Sequence, residues 1–232
     1  MHIDHEILLG LTTTPASDWK HKCQEIKKFQ IKKIALFPTF LNIEKRKELY
    51  ALLNQSSIKE IPHVHLRSED MENWEFEMFE TRYKTQYYNI HQEDINSEIL
   101  DPYRSKVFIE NQYKNFDENV LDRYAGLCVD FSHLEDGRIR KNSYLNAMDD
   151  GILDRYPIGC CHVSAIRLNG FGILNRIFGV SHHTLKKLSE VDYVKKYAKY
   201  LPKYISLELE NSFAEQLEVK DYLEKILRND NQ

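Results

Sequence analysis

The chain has 232 residues, a formal net charge of −4 and a 42% hydrophobic composition. That size suits one large domain and buries enough apolar surface to need no disulfide or metal for support. The mildly acidic balance excludes a global electrostatic pull toward nucleic acid or an acidic membrane, while leaving room for a local basic cleft.

In chain order, short β-branched or aromatic runs alternate with longer charge-laced ones. The strand-like runs are "EILLGLT" (6–12), "KIALFPTF" (33–40), "EIPHVHL" (60–66), "TQYYNIH" (85–91), "KVFIENQ" (106–112), "GLCVDFSH" (126–133), "GCCHVSAI" (159–166) and "YISLELEN" (204–211). Helix-like stretches separate them, from "SDWKHKCQEIKKF" after the first strand, through "SEILDPYRS", "RKNSYLNAMDDGILDRY" and "VDYVKKYAKYLP", to "FAEQLEVKDYLEKIL" after the last; Pro102 interrupts the fourth, "SEILDPYRS". Several strand runs are almost continuously apolar, as parallel strands covered on both faces should be. Eight strand–helix pairs predict an α/β fold, a (β/α)8 TIM barrel. An open doubly wound sheet is the alternative, but it should carry a Gly-rich phosphate loop after an early strand, and neither G-x-G-x-x-G nor G-x-x-x-x-G-K-[ST] occurs.

Cys23, Cys128, Cys160 and Cys161 show no C-x-x-C or framework spacing, and three lie inside apolar runs, so they read as reduced core residues of a cytoplasmic protein. "MHIDHEILLG" lacks the basic and apolar regions of a signal peptide, and no apolar run reaches the length of a membrane span. Without a linker or a compositional break, residues 1–232 are read as a single domain.

Polar, metal-competent side chains recur at one place in each unit. His63 and His65 belong to strand three, His91 ends strand four, and Glu110 lies near the end of strand five. Asp130 and His133 fall on strand six, His162 on strand seven, and Glu208 and Glu210 on strand eight. In a barrel of this type the C-terminal strand ends carry function. Alternation puts His63 and His65 on one face, and likewise Glu208 and Glu210. Carboxylates and an imidazole converging at one mouth repel each other unless something positive sits between them, and a divalent cation is the simple solution. Mixed oxygen and nitrogen donors suit zinc, manganese, cobalt or iron better than calcium.

These residues, in this order, resemble the xylose isomerase-like superfamily of barrels, which also contains endonuclease IV. The resemblance runs from strand three to the C-terminus and is strongest over residues 106–211. "FIENQ" supplies the strand-five Glu110, "CVDFSH" supplies Asp130 with His133, "CCHVSA" supplies His162, and "ISLELEN" looks like the ending that makes Glu208 a ligand, with Glu210 its neighbour. "NIHQ" resembles the strand-four motif of His91, and "HHTLKKLSEVDY" looks like a segment that aligns His183 with a family histidine. Two departures stand out. Ser181 replaces an aspartate that serves a third zinc in endonuclease IV-like enzymes, and the glycine-rich continuation after the strand-five glutamate is missing, Glu110 being followed by "NQYKNFD".

The resemblance implies a metal held by Glu110, Asp130, His162 and Glu208, with manganese, zinc, cobalt or magnesium as the candidates. As a sugar or sugar phosphate isomerase or epimerase, the chain would use Glu110 and Glu208 as the acid–base pair, with His133 and His65 positioning hydroxyls. As an endonuclease IV-like phosphodiesterase acting on abasic DNA, it would use His65 and His91 with Glu110 as a second metal site. Phosphates would then call on Arg67, Lys114, Arg138, Arg140, Lys141 and Arg167. As a catalytically inert barrel, it would serve as a binding partner, with "DYVKKYAKYLPKY" as one candidate face. The broken third-zinc pair and the acidic balance favour the isomerase or epimerase.

Overall fold

The computed structural model describes residues 5–67, 70–112, 116–141, 151–168 and 179–229. Strand β1 comes in two halves, Glu6–Leu8 and Gly10–Thr12, and is followed by β2 (Lys33–Phe37), β3 (Glu60–His65) and β4 (Tyr87–His91). Strands β5 (Val107–Glu110), β6 (Gly126–Asp130), β7 (Ile158–Val163) and β8 (Tyr204–Leu207) complete the set. Each pairs in parallel with its neighbour in sequence, from β1 with β2 through β7 with β8. The first half of β1 then pairs in parallel with β8, placing Glu6 against Tyr204 and Leu8 against Ser206. The second half pairs with β2, Gly10 against Ala35. One strand changing partners at Leu9 closes the ring, so the fold is a (β/α)8-type barrel.

The seam where β1 leaves β8 is tight and needs its own hydrogen bonds. A Cβ on Gly10 would lie 1.7 Å from the Leu207 carbonyl oxygen, so only glycine fits. Gln216 stands in for the missing strand partner: it accepts from Gly10 N and donates to the carbonyls of Gly10, Leu209 and Asn211. Lys22 Nζ, buried beside it, donates to Leu209 O at 2.7 Å.

Alternation sorts each strand into two cores. Outward residues such as Ile34, Leu36, Tyr88, Ile90, Ile109, Leu127, Val129 and Ile205 pack under the surrounding helices in the main cluster. Inward residues form small separate clusters, Leu8 with Ala35, Phe37 and Tyr204, and Phe108 with Cys128 and Cys160. The cysteines are buried free thiols. Gly159 leaves space for the Phe108 ring, whose nearest atoms would lie 2.3 Å from a Cβ there.

The longer helices α1 (Trp19–Phe29), α2 (Ile43–Asn54) and α3 (Asn73–Thr81) follow the first three strands. Beyond them α4 (Ser97–Leu100) passes into a 3₁₀ turn at Asp101–Lys106, where Pro102 cannot continue an α-helical ladder. Short α5 (Glu118–Leu121), then α6 (Phe131–Arg140), α7 (Ile152–Arg155) and the C-terminal α8 (Phe213–Asn229) are the remaining α-helices among the described residues. Between α2 and α3, buried Arg46 bridges Glu75 and Asp70.

Three expectations from the sequence change. Strand six ends at Asp130, because its side chain caps α6 by accepting from Ser132 N and His133 N; His133 therefore lies in the first turn of a helix, not on the strand. The run "GCCHVSAI" divides at Ser164, and Ala165–Ile166 turns away to pair antiparallel with Ser181–His182. The stretch containing "VDYVKKYAKY" winds as a 3₁₀ helix, Leu188–Tyr200, whose buried Val191, Val194 and Tyr197 recur at the three-residue period of that helix. Of the helical stretch "RKNSYLNAMDDGILDRY", residues 142–150 lie outside the described residues, as does Lys114. No helix among the described residues is long and apolar enough to cross a membrane.

Candidate metal centre

Inward-facing positions at the C-terminal ends of β3 to β8 bring six of the predicted residues to one place. Glu110 is at the centre. His65 Nε2 lies 3.0 Å from Glu110 Oε2, while His91 Nε2 and His162 Nδ1 lie 3.6 Å and 3.3 Å from Oε1. Glu208 Oε2 reaches to 3.6 Å from His162 Nδ1. The ligand atoms of Asp130, His162 and Glu208 lie within 4.8 Å of one another, as do those of His65, His91 and Glu110, and those of Glu110, Asp130 and His133. Glu110 of the second set adjoins the first through His162, 3.3 Å away.

Electrostatics follow from that packing. Burial opposes ionisation of Glu110, yet the imidazoles of His162, His65 and His91 outweigh it and hold the carboxyl well below its usual 4.5. Burial likewise opposes the charged form of His162, but Glu110 and Glu208 raise it to about 10. His91 rises to about 9 against its own burial, through Glu110 and Asp94. His183 also rises, Glu208 and Asp130 overcoming desolvation.

The donor set fits a divalent cation on an observation of its own. Asp130 Oδ2 and His162 Nδ1 are buried polar atoms without a hydrogen-bond partner, and both belong to the cluster containing Glu208. Buried polar groups are almost always satisfied, so the Asp130 oxygen calls for a partner, while His162 Nδ1 has the carboxylates of Glu110 and Glu208 beside it at 3.3 Å and 3.6 Å. Glu110, Asp130, His162 and Glu208 offer three carboxylates and one imidazole, a set that suits manganese, magnesium, cobalt or zinc.

Several buried groups that sequence reasoning left out hold these residues in place. Asn89 Nδ2 donates to Glu110 Oε2 at 2.5 Å, and its Oδ1 accepts from His63 Nε2 at 2.8 Å. His63 Nδ1 in turn lies 2.7 Å from Ser206 Oγ. A carboxylate only accepts, so the Asn89 amide has one orientation, His63 carries its proton on Nε2, and Nδ1 accepts from Ser206. With both nitrogens engaged, His63 has no lone pair left for a cation, although Cys128 and Cys160 lie beside it. Cys128 Sγ sits 3.6 Å from His162 Nε2, on the side of the ring away from the carboxylates. Parity could have found these residues, since Asn89, Cys128 and Ser206 each precede a predicted site residue by two.

The remaining predicted residues divide. His133 Nδ1 lies 3.5 Å from Asp130 Oδ2. His183 Nδ1 lies 3.2 Å from the Glu208 backbone oxygen, and 3.9 Å from its Oε2. Glu210 turns elsewhere: its two oxygens accept from Thr14 Oγ1 at 2.5 Å and Thr184 Oγ1 at 2.9 Å, tying two loops together. Strand β8 ends at Leu207, and the two glutamates beyond it take different partners, Glu208 toward His162 and Glu210 the two threonines. Ser181, where the family segment has an aspartate, packs against Ser164.

Above the cluster opens a cleft of about 310 Å³, lined among others by Phe40, His65, His91, Glu110, His133 and Glu208. Phe40 is 59% exposed on its rim. The arginines proposed for phosphates are engaged. Arg67 pairs with Asp70, Arg140 with Asp136 and Arg167 with Glu190, while Arg138 donates to Tyr197 Oη.

No family model and no curated protein matches the chain. Among solved structures, it is similar to orotidine 5′-phosphate decarboxylase from Pyrococcus horikoshii OT3. The two share 13% sequence identity over 87% of this chain and 88% of that one, with a TM-score of 0.38.

Proposed function

We propose that this chain is a divalent-metal-dependent isomerase or epimerase of a small sugar or sugar phosphate. The observation that carries the reading is the pair of carboxylates, Glu110 and Glu208, flanking His162 at 3.3 Å and 3.6 Å beside the orphaned Asp130 Oδ2. Glu110, Asp130, His162 and Glu208 would hold the cation. Its chemistry when bound is Lewis-acid polarisation of a carbonyl and the neighbouring hydroxyl, which makes the adjacent C–H proton easier to remove.

The side chains do the rest. One of the two glutamates takes the proton from the substrate carbon and the other returns it, on the same or the opposite face. Asn89 and His65 hold Glu110 Oε2, so its reach into the cleft is fixed before substrate arrives. His133 and His183 line the cleft where hydroxyls of a short polyol would lie. A cleft near the lower end of the size range for small-molecule sites suits a single sugar. The test is incorporation of solvent deuterium into a panel of ketoses and ketose phosphates by the manganese-loaded protein. Exchange that Glu110→Gln and Glu208→Gln both abolish supports the reading; no exchange with any member of the panel sinks it.

A second reading, an endonuclease IV-like phosphodiesterase acting on abasic DNA, is favoured by one observation. His65, His91 and Glu110 form a second donor set, whose Glu110 lies 3.3 Å from His162 of the first. Against it stands the pairing of Arg67, Arg140 and Arg167 with carboxylates, which leaves their charge neutralised toward a phosphate backbone. Incision of an abasic-site duplex, together with two metal equivalents, would establish this reading in place of the first.

A further inference from the structure

Behind Asp130 the hydroxyls of Ser132, Ser164 and Ser181 lie in a row. Ser132 Oγ donates to Asp130 Oδ1 at 2.5 Å, Ser164 Oγ donates to Ser132 Oγ at 2.7 Å, and the Ser164 and Ser181 oxygens are 3.3 Å apart. Ser132 and Ser164 are as fully buried as Asp130 itself, while Ser181 is half-buried on the short antiparallel pair outside the barrel. Each hydroxyl has one proton to give. A carboxylate only accepts, so the Ser132 proton goes to Asp130. The Ser164 proton then goes to Ser132, which leaves Ser181 as the donor to Ser164. The direction of every link is fixed by the charge at its end.

This row explains an asymmetry in Asp130. Its Oδ1 takes three donors, Ser132 N at 2.8 Å, His133 N at 2.9 Å and the Ser132 hydroxyl, whereas its Oδ2 takes none. Turning the plane of the carboxylate away from these donors would surrender all three bonds and strand the hydroxyls behind them. Oδ2 is thereby the oxygen left without a hydrogen bond, 3.5 Å from His133 Nδ1, on a residue that clusters with His162 and Glu208.

We propose that Ser181, Ser164 and Ser132 form a positioning relay that holds Asp130 with Oδ2 toward the cluster, so that this one oxygen serves as a monodentate ligand. The proposal rests on the reading of Asp130 as a metal-site residue. Three strands and loops meet in it, the end of β6, the residue after β7 and the outlying pair. It therefore couples the placement of Ser181 to the geometry of a carboxylate it does not touch.

The experiment pairs two readouts on the full chain carrying Ser132→Ala, Ser164→Ala and both together. The first is the Mn²⁺ dissociation constant, from electron paramagnetic resonance of the free ion. Groups that orient a ligand typically contribute about 10–100-fold to metal affinity, so Ser132→Ala should weaken binding about tenfold and Ser164→Ala severalfold. A relay acting through Ser132 makes the double variant no weaker than Ser132→Ala alone; independent structural effects would add. The second readout needs no metal: the Asp130 carboxyl ¹³C resonance of chelator-treated protein, assigned through Asp130→Asn. It should move in Ser164→Ala although Ser164 does not contact Asp130. A stationary resonance in that variant, or additive losses of Mn²⁺ affinity, overturns the relay. Wild-type protein that takes up no Mn²⁺, Zn²⁺ or Co²⁺, while the resonance still moves, overturns the metal-site reading and supports the relay on its own.

Discussion

Metal binding should expel protons, and the number expelled follows from the geometry. His162 is raised to about 10 because two carboxylates surround its buried ring, so at pH 7.5 it is charged. An imidazole coordinates only when neutral, and each cation seated on Glu110, Asp130, His162 and Glu208 must therefore displace one proton from His162. With a pKa of about 10, apparent affinity at pH 7.5 is about 300-fold below that of the neutral ring, and it should rise about tenfold per pH unit toward 10. Titration calorimetry of Mn²⁺ in buffers of different ionisation enthalpy measures this directly, because the slope of observed heat against buffer heat is the proton count. One proton with one equivalent of metal is the expected result. A second proton, from His91 at about 9, should accompany any second cation on His65, His91 and Glu110. The same charges predict a pH window for the chelator-treated protein. His162 and His91 have folded values above the usual 6.5, so their stabilisation is complete below that pH and is lost as the pH climbs through about 9 and 10. Glu110, held well below 4.5, contributes above that value and loses its contribution in acid. Measurable metal binding with no proton release would refute the assignment of His162 as a charged group awaiting a cation.

Glu208→Gln should abolish metal uptake while Glu210→Gln leaves it intact, because Glu210 is spent on Thr14 and Thr184; elemental analysis of the two purified variants decides this, and equal losses would reject the distinction. Gly10→Ala places a methyl group against the Leu207 carbonyl and should cost at least about 3 kcal/mol, seen as a collapse of the melting temperature; an unchanged melting temperature would mean the seam is looser than described. Arg46→Met leaves Glu75 buried without its partner and should cost about 3–5 kcal/mol in urea unfolding, since the two are ion-paired at zero exposure; a loss below about 1 kcal/mol would show that the network contributes little.

The strands were legible because burial on both sides of a parallel barrel leaves near-continuous apolar runs, and only their ends were not. Pro38 stops β2, and Asp130 stops β6 by turning into a cap, neither of which hydrophobic periodicity registers. Closure was not legible at all. It depends on β1 changing partners at Leu9 and on a glutamine two hundred residues away, and no local pattern encodes such a meeting. In the site, Glu110, Asp130, His162 and Glu208 stood out because charge in an apolar run is conspicuous. Asn89, Cys128 and Ser206 did not, since small neutral polar residues pass as ordinary strand composition. What they do is visible only once opposite walls of the barrel face each other, as when Ser206 on β8 reaches His63 on β3.

The ring of strands also divides the mouth by chemistry. The charged residues come from β3 through β8, and none of the candidate ligands comes from β1 or β2. That remaining arc contributes Thr39 and the exposed Phe40 ring to the cleft, and beneath it the buried Phe37 ring lies 5.1 Å from the His162 ring and 6.1 Å from that of His65. A substrate seated there meets carboxylates and imidazoles along one edge and aromatic carbon along the other. A sugar has that same division, with hydroxyls around its edge and C–H bonds on its faces, and aromatic rings favour the latter. The distribution of ligands around the barrel thus favours the small carbonyl substrate on grounds separate from the size of the cleft and from the pairing of the arginines.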